Sequence, residues 1–314
     1  MAVSSVAVDY SRPIRPMFEQ GSRTGTIHSV FHKAANIALD DTMLALLSDE
    51  LPRMPNSVRL AAVVADELLW SLKPGMKVQV GSGRLFIPDI GFILHMPEQP
   101  AWEPRPELMA YRWSRALVSH HVHLLVHFLV DRSRQDGLAQ LAGPLLLGQQ
   151  VRKTPLLRMA MPMLQMLSLA TWQQDIEGVE AATRGLAGLG PGLTPSGDDA
   201  LGGFAAVMAL LSSQLSADAE PRKQVATVIA SVAQSRTTAL SAILLEHAAR
   251  GEVAEQLGTL LLTLALPAEA SGSVLQQADR VLDFGANSGG DTLLGILLGL
   301  RTLEGKIDQA GGYL

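Results

Sequence analysis

The chain has 314 residues, of which 47% are hydrophobic, 25 are basic and 30 are acidic. This composition allows a substantial core, argues against disorder and, without a basic block, gives no sign of binding to nucleic acid or to a membrane surface. The absence of cysteine excludes disulfides, thiolate nucleophiles and sulfur-ligated metals.

No signal peptide heads the sequence. The longest apolar runs, residues 200–211 and 257–266, are shorter than the roughly 20 residues that span a bilayer. We therefore expect a soluble, cytoplasmic protein.

The first 96 residues are predicted to form a polar arm and a small mostly-β domain. Residues 1–24 are polar and lack hydrophobic periodicity, so a loose N-terminal arm is expected. Over residues 25–96, short β-like runs alternate with turn residues. The predicted strands are 27–31, 43–47, 77–80, 84–87 and 92–94, and one helix is predicted over 60–72.

Four prolines between residues 97 and 106 predict a stiff connector. Residues 107–314 read as helices, which are predicted over 108–132, 137–147, 156–171, 175–186, 200–215, 221–251 (one helix or two), 253–266, 270–282 and 292–304. The predicted fold class is therefore α+β, with a small mostly-β N-terminal domain followed by a larger, mainly helical domain.

Residues 188–203, GLGPGLTPSGDDALGG, are the most informative stretch of the chain. Its glycines and prolines predict a rigid loop, and the loop leads into an apolar run that is too long for a strand. Ser196 is predicted to be the N-cap of this helix. Its hydroxyl would accept from the Asp199 amide, and the Asp199 carboxylate would reach back to the Ser196 amide, as in a capping box.

Residues 288–295, SGGDTLLG, repeat residues 196–203, SGDDALGG, as S-G-x-D-x-L-x-G. In both copies a glycine follows two turns into an apolar helix, where it costs about 1 kcal/mol relative to alanine. Close approach of two helices explains that cost, and Gly299 lies one turn beyond Gly295 on the same face. We expect two similar helices packed through their glycine faces, with N-termini that open onto one cleft.

The loop amides and the helix N-termini together favour a negatively charged ligand. A capping turn alone would not require Gly190, Gly192 or Thr194, and it would not require a second carboxylate, Asp198. The predicted anion ligands at the two helix starts are Gly190, Gly192, Thr194, Ser196, Gly197, Asn287, Ser288 and Gly289. Asp198, Asp199 and Asp291 are predicted as base, orienting groups or Mg²⁺ ligands, with Asp198 and Asp291 as the candidates for the metal.

The run Ser235-Arg236-Thr237-Thr238, with Ser241 one turn later, has two interpretations. Thr237, Thr238 and Ser241 could bind phosphate or carboxylate, or they could simply begin a helix that runs to Arg250.

The histidines do not contribute to the predicted site. His120, His121, His123 and His127 lack further partners at metal-ligand spacing and are left out of it. His247, on the helix predicted over 237–250, is a better candidate by itself, although a histidine satisfied within a packed face is the commoner case.

The string GPGLTPSGDD at 190–199, the TTALS run at 237–241 with Ala248-Ala249 and Gly251, and SGGDTLLG at 288–295 resemble the third subunit of bacterial oxamate carbamoyltransferase. Pro55-Asn56-Ser57 is similar to the family's N-terminal turn, so the resemblance spans most of the chain. One departure is Ala286-Asn287, which stands where some relatives have a His-Thr pair, so a histidine acid is not expected there. Arg236 is not a fixed feature of the family.

The resemblance implies a complex with two other subunits, which moves a carbamoyl group between oxalurate and phosphate in allantoin catabolism. The substrates, oxalurate or oxamate and phosphate or carbamoyl phosphate, are all anions. The sequence identifies no certain cofactor, and the carboxylates at the helix starts make Mg²⁺ the candidate.

Two other functions stay open. A metal-dependent hydrolase of the ADP-ribosylglycohydrolase kind would hold Mg²⁺ between Asp198 and Asp291. A non-catalytic subunit would complete the active site of a partner.

Overall fold

The computed structural model describes residues 3–40, 42–99, 101–132, 136–151, 154–216 and 218–305. The last nine residues of the predicted helical domain, and Pro100 of the predicted connector, lie outside them. The chain divides into two compact units, Met1–Arg105 with Val253–Glu255, and Pro106–Glu252 with Gln256–Leu314. The N-terminal part is mostly β and the part from residue 115 onward is helical, which confirms the predicted α+β class. We propose the segment 97–106 as the domain boundary.

The first unit is built on one sheet, which has nine strands within the described residues. The strands are β1 (Val3–Val6), β2 (Asp9–Tyr10), β3 (Arg23–Phe31), β4 (Ala34–Leu39), β5 (Thr42–Ser48), β6 (Ser57–Leu60), β7 (Lys77–Gly81), β8 (Arg84–Ile87) and β9 (Phe92–His95). Their order is β1-β9-β8-β7-β3-β4-β5-β6-β2. The pairs β1–β9 and β5–β6 are parallel, and the other pairs are antiparallel.

All five predicted strands are present, as β3, β5, β7, β8 and β9. Two further strands, β4 and β6, were not predicted. Most residues of β4 are buried, and its sequence, AANIAL, lacks the alternation of apolar and polar residues that identifies a half-exposed strand. Strand β6, SVRL, has only four residues, and its polar Ser57 and Arg59 are buried as well. The predicted helix at 60–72 is observed as α2 (Ala62–Ser71), which packs on β4 and β5.

The prediction of a loose arm at residues 1–24 is wrong for its described part. Strand β1 pairs with β9, β2 pairs with β6, and a short helix, α1 (Arg15–Glu19), follows. Ile14 and Phe18 lie in the core. The backbone N–H and C=O groups of β1 and β2 therefore form hydrogen bonds with β9 and β6 at the two sides of the sheet. Backbone pairing of this kind does not require a recognisable pattern of side chains.

The described residues from 115 onward form ten α-helices. They are α3 (Arg115–Arg132), α4 (Ala142–Leu147), α5 (Pro155–Gln173), α6 (Ile176–Leu186), α7 (Ser196–Leu215), α8 (Ala219–Ala233), α9 (Ala239–Ala249), α10 (Glu255–Thr263), α11 (Ser271–Leu282) and α12 (Ser288–Glu304). The predicted stretch 221–251 is two helices, α8 and α9. Among the described residues, no helix combines the length and hydrophobicity needed to cross a membrane.

Helices α7 and α12 are the most deeply buried and pack directly against each other. A Cβ atom on Gly203 would lie 2.1 Å from the Thr292 carbonyl oxygen, and one on Gly295 would lie 2.0 Å from that of Ala200. Gly299 faces Val207 one turn further along both helices, so the helices run parallel. The predicted packing through glycine faces is confirmed.

Candidate functional site

The N-termini of α7 and α12 meet side by side. The hydroxyl oxygens of Thr194 and Ser288 lie 3.2 Å apart. The Ser288 hydroxyl is hydrogen-bonded to Asp199 of α7, and the Ser196 hydroxyl is hydrogen-bonded to Asp291 of α12. Each serine of the repeated motif therefore pairs with the aspartate of the other copy.

This crossed arrangement corrects the predicted capping box. Ser196 is the first residue of α7, and the N-cap is Pro195, whose carbonyl oxygen accepts from the amides of Asp198 and Asp199 at 2.9 and 3.1 Å. The N-cap of α12 is Asn287, whose carbonyl oxygen accepts from the Asp291 amide at 3.0 Å. Since neither helix start uses a side-chain cap, the serine hydroxyls are available to the neighbouring helix.

The loop before α7 depends on glycines with positive φ. Gly188, Gly190 and Gly192 have φ of +74°, +122° and +98°, values that residues with a side chain rarely adopt. Among the described residues, the amides of Gly190, Gly192 and Thr194 donate to no protein acceptor. Gly192 is exposed and Thr194 is half-buried, so these amides lie where a small anion could reach them.

Gly197 and Gly289, also predicted as anion ligands, have a different role. Their amides donate to the carbonyl oxygens of Leu189 and Phe284 at 2.8 and 2.9 Å. A Cβ atom on Gly197 would lie 2.0 Å from the Leu186 carbonyl oxygen, and one on Gly289 would lie 1.9 Å from that of Val281. Both glycines therefore allow the preceding helix to approach closely.

Asp198 holds the loop in place. It is 3% exposed, and its Oδ1 accepts from the Gly188 amide at 2.9 Å while its Oδ2 accepts from the Thr237 hydroxyl. Burial raises the pKa of this carboxyl, although the hydrogen bonds from Thr237, Gly188 and Ser241 oppose the shift. With both oxygens occupied, Asp198 acts as an internal anchor.

The start of α9 is a second anchor for the same loop. Thr238 is the N-cap of α9, accepting from the Ser241 amide at 3.1 Å, and its hydroxyl donates to the Leu193 carbonyl oxygen at 2.5 Å. The Ser241 hydroxyl donates to the same oxygen at 3.3 Å. These contacts favour the interpretation in which Thr237, Thr238 and Ser241 begin a helix, while Arg236 is exposed.

Asp199 and Asp291 carry the most strongly perturbed carboxyl groups at the helix starts. Burial raises the pKa of Asp291 to about 6, against hydrogen bonds from Ser196 and from the Ala139 and Leu138 amides. Burial, with the nearby charges of Asp291 and Asp198, holds the pKa of Asp199 well above its usual range. A raised pKa brings the protonation of a carboxyl group closer to neutral pH, which favours general acid–base catalysis.

A small pocket of about 20 Å³ lies beside the start of α12. Its lining comprises Arg132, Gly137, Ala139, Leu282, Ala286, Asn287, Gly290 and Asp291. Sequence reasoning identified Asn287 and Asp291 but missed Arg132, Gly137 and Ala139. These three lie about 150 residues earlier and belong to no motif, so only the fold reveals them.

The histidines of α3 do not form a metal site. No group of three or more His, Cys, Asp or Glu residues suited to a metal occurs in the described part of the chain. His121 is buried, with Nδ1 3.2 Å from the Leu264 carbonyl oxygen, and the rings of His123 and His127 lie edge to face with centroids 4.6 Å apart.

His247 is also accounted for by packing. It is buried, and its Nδ1 lies 2.6 Å from the Glu252 carboxylate. Of its two interpretations, the structure favours a histidine satisfied within a packed face.

Comparison with known families identifies the class of protein. A family model described as oxamate carbamoyltransferase subunit AllH matches residues 186–300, which include both helix starts, and a model of the AllH family N-terminal domain matches residues 5–97. No solved structure matches the chain. The chain belongs to the AllH family and is a carbamoyltransferase subunit, which implies further subunits in the enzyme.

Proposed function

We propose that this subunit takes part in the transfer of a carbamoyl group between oxalurate and phosphate, in a cytoplasmic complex with two other subunits that serves allantoin catabolism. In this reaction a phosphate oxygen attacks the carbamoyl carbon, the bond from that carbon to the oxamate nitrogen breaks, and the nitrogen takes up a proton. The family name supports the substrate class. The 3.2 Å contact between the hydroxyls of Thr194 and Ser288 is the observation that supports an anion site at the starts of α7 and α12.

Two features of the helix starts favour an anion there. The parallel helices α7 and α12 direct the positive ends of their dipoles to one place, and the amides of Gly190, Gly192 and Thr194 lie beside it. The hydroxyls of Thr194 and Ser288 are half-buried beside these amides. Because the Ser288 hydroxyl donates to Asp199, Thr194 supplies the further hydrogen-bond donor for the anion. Such donors stabilise charge that develops on phosphate or carboxylate oxygens during transfer.

In this proposal the three aspartates have different roles. Asp199 is half-buried, contacts Ser288 and has a raised pKa, so we assign to it the proton that the oxamate nitrogen gains or loses. Asp198 is buried and positions the loop, and Asp291 is buried at the start of α12. Most of the rate enhancement would come from positioning and charge stabilisation.

The hydrolase alternative is less well supported. Two Mg²⁺ ions bridging Asp198 and Asp291 would need carboxylate oxygens directed at the metal. Asp198 uses both of its oxygens for Gly188 and Thr237, and Asp291 uses Oδ1 for the Ala139 amide. Of the four oxygens, only Oδ2 of Asp291 has no partner among the described residues, so the two carboxylates do not bridge a pair of metal ions and the residue set suits an anion site better.

The test uses the assembled complex and variants that each remove one hydroxyl, Thr194→Val for the donor to the anion and Ser288→Ala for the donor to Asp199. Loss of a hydrogen bond to a charged substrate should lower kcat/KM with carbamoyl phosphate by about 10- to 100-fold. Ser235→Ala, in an exposed position near α9, is the matched control and should keep full activity.

Full activity of both donor variants in an intact complex would show that the subunit is structural and that the catalytic anion binds elsewhere.

A further inference from the structure

The pocket beside α12 contains a buried acceptor that lacks a partner. Asp291 is 0% exposed, and among the described residues its Oδ2 has no hydrogen-bond partner. Leaving a buried charged oxygen unpaired is costly, so a native structure normally supplies a donor. Here Asp291 lines a pocket, from which a donor can come.

The protein holds this carboxylate in one orientation. Oδ1 accepts from the Ala139 amide at 2.9 Å, and the Leu138 amide and the Ser196 hydroxyl also contribute hydrogen bonds. A Cβ atom on Gly137 would lie 2.6 Å from Oδ1, so only glycine allows the loop to come this close. The Ala139 amide thus holds Oδ1, whereas Oδ2 has no partner among the described residues and can accept from a ligand.

The size of the pocket restricts that ligand. A cavity of about 20 Å³ accommodates about one water-sized group, such as a terminal –NH₂. Two residues with donor groups in their side chains line the same pocket, Asn287 with an amide and Arg132 with a guanidinium. The ion pair of Arg132 with Asp279, at 3.0 Å, has side chains that are 60% and 52% exposed, so it restrains the guanidinium only weakly.

We propose that this pocket binds the amide end of a small amide-carboxylate compound, with Asp291 accepting from the amide N–H and Arg132 pairing with the carboxylate. The choice of oxamate as the probe rests on the proposed function, since oxamate has both groups on adjacent carbons. Asp291 is thus a substrate-binding residue that selects for an N–H donor, and Arg132 is its partner for the anionic end.

Pyruvate is the matched probe because it has the size and charge of oxamate, with a methyl group in place of –NH₂. Calorimetric titration of the full chain should show that oxamate binds about tenfold more tightly than pyruvate, as expected for a hydrogen bond to a charged acceptor. Asp291→Asn should abolish this preference. The Ala139 amide would still donate to the asparagine oxygen, so the asparagine NH₂ group would face the ligand and could not accept from its N–H. Arg132→Gln should weaken both ligands equally.

Asp279→Asn is the control for the exposed ion pair and should leave both affinities unchanged. A tenfold preference that survives in Asp291→Asn, or no measurable binding of oxamate to the chain, would overturn the proposal.

Activity of the complex separates this proposal from the proposed function. If Thr194→Val and Ser288→Ala impair transfer but oxamate shows no preference over pyruvate, the pocket assignment fails and the proposed function stands. If the preference depends on Asp291 but the complex transfers no carbamoyl group, the proposed function fails and the pocket assignment stands.

Discussion

The hydroxyls of Thr194 and Ser288 lie 3.2 Å apart although 94 residues separate them in the chain. They meet because α7 and α12 pack in parallel through Gly203 and Gly295, which places the two copies of S-G-x-D at the same end of the helix pair. The crossed pairs Ser196–Asp291 and Ser288–Asp199 then join the two helix starts. Each copy of the repeat therefore supplies half of the contacts that join the two helix starts.

The glycine contact predicts a strong effect of one methyl group. In Gly295→Ala the new Cβ would lie 2.0 Å from the Ala200 carbonyl oxygen, so α7 and α12 must separate. We expect the free energy of unfolding to fall by about 2–3 kcal/mol, as for other overpacked sites, in chemical denaturation. Gly295→Leu should be worse.

The control is Gly202→Ala on the adjacent position of α7, where the nearest atom to a new Cβ is 3.8 Å away. It should be neutral or stabilising by up to about 1 kcal/mol, because alanine favours the helix. Equal stability of the two alanine variants would contradict the close packing.

Thr237 is predicted to stabilise the loop through Asp198. In Thr237→Val the Asp198 carboxylate, which is 3% exposed, loses the donor to its Oδ2. The expected loss in the free energy of unfolding is about 1–3 kcal/mol, measured by chemical denaturation. Thr237→Ser keeps the hydroxyl and should stay close to the wild type; a serine variant as unstable as the valine variant would exclude the hydrogen bond as the cause.

Asp291 predicts a pH dependence of stability. Burial raises its pKa from 3.8 to about 6, so between these values the folded state binds more protons than the unfolded state. The free energy of unfolding therefore falls as pH rises from about 4 to 6, by on the order of 3 kcal/mol. The Asp291→Asn variant has no carboxyl group here to bind this proton. The difference in Tm, variant minus wild type, should therefore be more positive at pH 7 than at pH 4. Parallel Tm curves for the two proteins would contradict the raised pKa.

In the first unit, Arg59 is predicted to be essential for stability. Burial pushes the pKa of Asp9 upward, but the hydrogen bonds and charges of Arg59 and Arg53 outweigh it and leave the pKa below its usual value. Arg59→Met would leave that carboxylate without its main partner, at a cost of about 2–4 kcal/mol in thermal or chemical unfolding. Arg12→Met is the comparison, since the Arg12 side chain is 70% exposed in its pair with Glu103 and should contribute less than about 1 kcal/mol.

The sequence predicts the helix pair well because the signal is local. Gly203, Gly295 and Gly299 have an unfavourable helix propensity that only close packing explains, and the eight-residue repeat identifies two equivalent helix starts. Strands with one exposed face, such as β7, are also predicted from a local signal. In these strands apolar and polar residues alternate, which indicates that one face is buried.

The partners of the site residues could not be predicted in the same way. The spacing of Ser196 and Asp199 fits a capping box within one helix, and the spacing alone does not distinguish this from exchange with Ser288 and Asp291. Gly137 and Arg132 reach Asp291 only through the tertiary fold. Likewise, β1 joins the sheet through its backbone, on which the side chains give no information.

Because synthesis runs from the N-terminus, the crossed Ser–Asp pairs can form only late in the production of the chain. Ser288 follows Ser196 by 92 residues, so at typical synthesis rates the start of α7 leaves the ribosome roughly 5 to 20 s before its partner exists. Until then Asp199 lacks Ser288, and the glycine face of α7 has no helix to cover it. A nascent chain halted before α12 therefore presents α7, without its partner helix, to chaperones and proteases.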